Sequence, residues 1–129
     1  MRQIKLFGGL SSPQVINVAT VPMRSLFRYP GGKTWLVPYI RQWLRSRKAK
    51  TKELIEPFAG GGIVSLTAVF EKLVKRAMLV ELDEDVAAVW RVVLSKDAAW
   101  LVDRIMSFEV TERNVRTVLE KEPASLQEK

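Results

Sequence analysis

Glu53-Leu54-Ile55-Glu56-Pro57-Phe58-Ala59-Gly60-Gly61-Gly62-Ile63-Val64 decides the fold. Its first five residues read as a short strand, and Ile63, Val64, Leu66, Val69, Phe70 and Leu73 recur at helical spacing beyond the glycines. A strand, a glycine turn and a helix in that order is how a doubly wound sheet places a ligand, because turn amides and the helix N-terminus gather partial positive charge. A carboxylate or phosphate would suit that end. Glycine serves where φ must be positive or where a side chain would block a close approach. The same glycines also fit a tight connection that holds no ligand.

Downstream, Ala77 to Leu82 is an apolar run of strand length, which predicts a parallel strand buried on both faces and completes one βαβ unit. It ends in the acids Glu81, Asp83, Glu84 and Asp85. Glu81 stands nineteen residues after Gly62, close to the offset at which an acid accepts from ribose hydroxyls. The pairing favours an adenosine-containing ligand, with a dinucleotide and S-adenosylmethionine both open, and Glu81 as an exposed strand-end acid is the plain alternative. Asp83 is placed to cap a helix carrying Val86, Val89, Trp90, Val93 and Leu94. Two more helices are predicted, Asp97 to Phe108 and Glu112 to Lys121, the second capped by Thr111, with no further strand.

Upstream, Trp35, Leu36, Tyr39, Ile40, Trp43 and Leu44 form an apolar stripe on a helix that starts near Thr34, where Pro38 falls in the first turn. Arg41, Arg45 and Lys48 are expected on its other face, and the helix should fade between Arg45 and Lys52. Trp35, Trp43 and Trp90 read as core, while Trp100 could face either way. Residues 1–22 form a loose leader with one short strand at Val15 to Val18, and residues 23–129 form the domain.

The first 52 residues hold eleven Lys or Arg and no acid, against ten bases and fourteen acids thereafter, within a net charge of +7. This points to a polyanion near the N-terminal third, with Arg41, Arg45 and Lys48 as nucleic-acid contacts, although a solvated basic helix has the same composition. The absence of Cys and His excludes disulfides, thiolate metal sites and a histidine base. No apolar run approaches the length of a membrane span, so a cytoplasmic protein without a metal site is expected.

Phe27-Arg28-Tyr29-Pro30-Gly31-Gly32-Lys33 separates the two ligand readings, since a dinucleotide fold normally opens on its first strand. Tyr29-Pro30-Gly31-Gly32-Lys33, then Glu56-Pro57-Phe58-Ala59-Gly60-Gly61-Gly62, then Glu81, resembles the Dam-type adenine-N6 DNA methyltransferases, which carry these elements in this order. The resemblance covers roughly Phe27 to Leu94. It implies an α/β fold, a partial Rossmann-like S-adenosylmethionine-dependent methyltransferase domain with a helix before the first strand, one βαβ unit and C-terminal helices.

It further implies that Tyr29 and Lys33 bind the methionine end of the cofactor, with Lys33 on its carboxylate. Pro57, Phe58 and Gly60 would shape the turn and pocket, and Glu81 would hold the ribose. Taken singly, Tyr29 could be a core aromatic and Lys33 a solvated lysine at a helix start.

The family's catalytic Asp-Pro-Pro followed by Tyr, Phe or Trp is missing, since the six prolines at 13, 22, 30, 38, 57 and 123 include no adjacent pair. The expectation is therefore a truncated member of a site-specific, restriction-modification type of enzyme. It would bind double-stranded DNA and be inactive alone, its catalytic motif lying in a missing C-terminal part or a second chain. The alternatives are a non-enzymatic basic nucleic-acid-binding module and a dinucleotide-binding oxidoreductase fragment.

Overall fold

A computed structural model describes residues 18–121. Most of the leader lies outside them, and so does the expected strand at Val15 to Val18 except for Val18, which opens a 3-10 turn, Val18–Thr20, and not a strand. The chain divides after Val80 into two units, Met1–Val80 and Glu81–Lys129.

In the first unit a 3-10 turn, Thr34–Leu36, leads into α1, Val37–Arg45, with Pro38 in its first turn, where proline removes no helical hydrogen bond. The tighter opening turn rephases the stripe expected on this helix. Val37 and Leu44 are buried and Leu36 and Ile40 pack against the core, whereas Trp35 is 60% exposed and Trp43 38%. The expectation that both tryptophans are core is thereby corrected. Arg41 shares the Val37 and Leu44 side of the helix, not the opposite face.

β1, Thr51–Pro57, pairs in parallel with β2, Val74–Val80, and the two form the only sheet among the described residues. The second strand starts and ends earlier than the apolar run suggested, taking in Lys75 and Arg76 and leaving out Leu82, which is 83% exposed. Nor is it buried on both faces. Leu54 faces the core, where Ala77, its neighbour in register, packs, while Ile55, Met78 and Val80 are exposed on the other side. Lys75 and Arg76 are tolerated because their end of the strand meets solvent.

Between the strands runs α2, Ile63–Phe70, which buries Ile63, Val64, Ser65, Thr67 and Ala68. The core joins Val21, Val37, Leu44, Leu54, Ile63, Val64, Ala68 and Val74. The helix ends with two crossed bonds, Leu73 amide to Ala68 carbonyl and Lys72 amide to Val69 carbonyl, each 2.9 Å. This closure puts Lys72 at φ +55°, a position glycine takes by default.

At the same end Glu71 gathers three arginines. Its carboxylate accepts from Arg24 at 3.0 Å and from Arg41 Nε at 2.8 Å and a second Arg41 nitrogen, with Arg45 3.7 Å away. Arg24 also lies over the Phe70 ring. One residue thus ties the segment before Lys33, α1 and α2 together. Hydrogen bonding from Arg41, then its charge and the bonds and charge of Arg24, outweigh burial and hold the Glu71 carboxyl below the usual carboxylate range.

The second unit is helical: α3, Glu84–Val93, α4, Ala98–Ser107, and α5, Glu112–Leu119. Asp83 caps α3 by accepting from the Asp85 and Val86 amides, and Thr111 caps α5 by accepting from Asn114, as their positions in sequence implied. Trp90 is buried and Trp100 is half-buried. Within the described residues no helix is long and apolar enough to cross a membrane.

Candidate functional site

The glycine turn sits where β1 ends, and the Ala59 amide donates to the Val80 carbonyl at 3.1 Å, carrying the strand pairing into the turn. Its backbone is unusual. Phe58, Gly60 and Gly62 have φ of 52°, 52° and 64°, so a phenylalanine shares the left-handed region with two glycines. Phe58 is 71% exposed at the mouth of the turn.

Residues 25–33 lie against this turn. A Cβ on Gly60 would come within 2.8 Å of Tyr29 Cδ1, and one on Gly61 within 2.9 Å of the Phe27 carbonyl. The missing side chains therefore make room for the upstream segment. The sequence suggested that glycine lets a ligand reach the backbone; the approach seen here is made by the protein's own chain. Tyr29 closes its own turn by accepting from the Gly32 amide at 3.2 Å, and Phe27 meets its ring edge-on at 6.5 Å.

Lys33 fastens the two pieces. Its ammonium donates to the Phe58 carbonyl, with the Ala59 carbonyl and Glu56 Oε1 each 3.5 Å away. It is not the solvated lysine that the start of a helix allowed. Glu56 is 4% exposed, and its Oε2 accepts from the Ser65 amide at 2.8 Å. Because Gly62 has no side chain to cap α2, Glu56 caps it from the neighbouring strand. Thus the helix end expected to welcome an anion already holds a carboxylate. Among the described residues no group donates a hydrogen bond to Glu56 Oε1, and the Lys33 ammonium 3.5 Å away is the compensating charge.

Ser25, Tyr29, Gly32, Lys33, Phe58 and Gly60 are among the residues around a cleft of about 170 Å³. Whole small-molecule sites run from about 300 Å³, so this cleft alone is smaller than such a site. Pro57 closes β1 beside it in sequence and pairs in register with Val80.

Glu81 follows β2 directly, and its Oε1 accepts from the Leu82 and Asp83 amides at 2.8 and 3.0 Å. Of the proposed nucleic-acid residues, Arg41 is engaged with Glu71, Arg45 is mostly exposed and Lys48 is exposed. They are not gathered at the glycine turn.

Sequence reasoning missed Glu56 and Glu71 as organising residues. Glu56 alternates with the buried Leu54 along β1, a pattern that marks it as facing inward. Glu71 and Arg24 are 47 residues apart, with no local signal to join them.

No curated protein and no solved structure matches the chain. A family model, D12 class N6 adenine-specific DNA methyltransferase, matches residues 29–119. The match begins at Tyr29 and runs through the glycine turn and Glu81 to the end of α5. With most of its length covered, the chain belongs to the D12 class N6 adenine-specific DNA methyltransferase family.

Proposed function

We propose that this chain is the S-adenosylmethionine-holding part of a site-specific DNA adenine-N6 methyltransferase. The observation that carries the proposal is the docking of Tyr29 to Lys33 onto the glycine turn, which makes one cleft from two of the elements that mark the family. When bound, the cofactor supplies an electrophilic sulfonium methyl group.

The chain's own residues bind and orient. Lys33 has one close acceptor and two at 3.5 Å, so its ammonium can turn part of its charge toward a ligand carboxylate in the cleft. Tyr29 and Phe58 offer apolar walls, Pro57 and Gly60 set the course of the turn, and Glu81 accepts from ribose hydroxyls.

Alignment of the adenine amino group is a separate requirement, and much of the rate of such transfers comes from alignment. No Asp-Pro-Pro-aromatic element occurs in these 129 residues, so on their own they are expected not to methylate double-stranded DNA. Transfer of labelled methyl groups to duplex adenine by the purified chain would refute that part.

Calorimetry tests the binding part. S-adenosylmethionine is expected to bind and NAD not to. Absence of S-adenosylmethionine binding would refute this part and leave a basic nucleic-acid-binding module as the second reading. Lys33→Ala should weaken cofactor binding roughly tenfold or more and also lower Tm, because it strands a buried carboxylate.

A further inference from the structure

We propose a polyanion surface at the amino-terminal end of the sheet, remote from the glycine turn, that takes the phosphate backbone of duplex DNA. α1 starts beside the turn, where Lys33 is held, and carries the chain away to Arg45; β1 brings it back over seven residues, a span of about 20 Å. The loop between them and the start of β1 hold Arg45, Arg47, Lys48, Lys50 and Lys52, all exposed.

The topology adds two cations from elsewhere in the sequence. Thr51 pairs with Val74 and Glu53 with Arg76, so Lys75 stands beside Lys52, and parallel register turns both toward the same face. Lys72 precedes them in the left-handed position that closes α2. Like charges on neighbouring strand positions disfavour the sheet, as a lysine at φ +55° disfavours its turn. Phosphates would offset the first of these costs.

The local acids are already engaged. Met1–Val80 has fourteen Lys or Arg against three Glu. Glu53 pairs with Arg76 at 2.8 Å, Glu56 with Lys33, and Glu71 with its arginines. Lys48, Lys50, Lys52, Lys72 and Lys75 have no ion-pair partner among the described residues. Arg47 lies 5.7 Å over the half-exposed Trp43 ring, which keeps the guanidinium at the surface. Family membership names the polyanion as DNA; the surface itself does not depend on cofactor binding.

The test is fluorescence anisotropy of the full chain with a labelled 20-base-pair duplex of arbitrary sequence, across a salt series. Each phosphate contact contributes about 0.9 to the slope of log affinity against log salt. Replacing Lys48, Lys50, Lys72 and Lys75 by Gln should lower that slope by about 3 to 4 and reduce affinity roughly tenfold or more at 100 mM salt. Arg47→Gln with Lys52→Gln should lower the slope by about 2.

Arg91→Gln, Lys96→Gln and Arg104→Gln, made together in the second unit, should leave both quantities unchanged. An unaltered slope in the first two variants, an equal loss in the third, or tighter binding to single-stranded RNA than to duplex would each overturn the proposal. Calorimetry with S-adenosylmethionine on the same variants keeps the two readings apart. Wild-type chain that binds duplex but not cofactor refutes the proposed function alone, whereas cofactor binding with no response to the surface lysines refutes this surface alone.

Discussion

The two units differ in how they use their apolar residues and in their charge. Met1–Val80 holds fourteen bases against three acids and encloses a core drawn from α1, both strands and α2. Glu81–Lys129 holds seven bases against eleven acids, and neither α4 nor α5 contains a buried residue. Ile105, Met106, Val110, Val118 and Leu119 are mostly exposed. In the second unit α3 alone buries residues, Ala88, Trp90 and Val92, while α5 rests on the Thr111 cap and on the local pair of Arg116 with Glu112, each worth only tenths of a kcal/mol to about one. The helices of the first unit are held by long-range packing. Helix-forming signals and a core are separable properties of a sequence.

The largest contrast should appear in truncating one apolar side chain from each unit. Leu44→Ala removes a buried core residue and is expected to cost about 2–5 kcal/mol in urea unfolding. Ile105→Ala, at a site 63% exposed, should stay within about 0.5 kcal/mol. Comparable losses at both would show that α4 is as tightly packed as α1.

Glu71→Gln sharpens the account of how the first unit is tied together. Losing the charge that holds Arg24 and Arg41 should cost about 1–2 kcal/mol at pH 7, discounted for partial exposure. The native carboxyl titrates below its unfolded value, so the stability it contributes is full above about pH 4.3 and falls away as pH drops through the lower native value. The Gln variant should lack that share of acid sensitivity, and parallel pH–stability curves for the two proteins would argue against the cluster.

Lys72→Gly has the smallest effect and the opposite sign. Relieving a left-handed lysine should raise stability by about 0.5–1 kcal/mol, net of the entropy glycine adds to the unfolded chain. Thermal melts at matched salt would register it.

What was legible in the sequence follows the range of each signal. Asp83, Thr111 and Pro38 act within a turn of their own position, and their roles could be read directly. The strand, glycine turn and helix were equally local. The phase of α1 was misread because a 3-10 turn opens it, which spacing alone does not announce. The extent of β2 was misread because Lys75 and Arg76 interrupt its apolar pattern at an exposed end. Tyr29, Lys33 and the turn could be recognised as related elements, but not that Gly60 leaves room for Tyr29 or that Glu56 caps α2, since both depend on chain segments meeting in space.

The grip of Lys33 on the Phe58 carbonyl spans 25 residues. As the chain leaves the ribosome, at about 5–20 residues per second, the lysine emerges roughly one to five seconds before its acceptor. Until then the segment that carries Phe27 and Tyr29 has no turn to rest on. Order of synthesis thus gives the site a maturation step of its own, completed only when the glycines arrive to receive what was made before them.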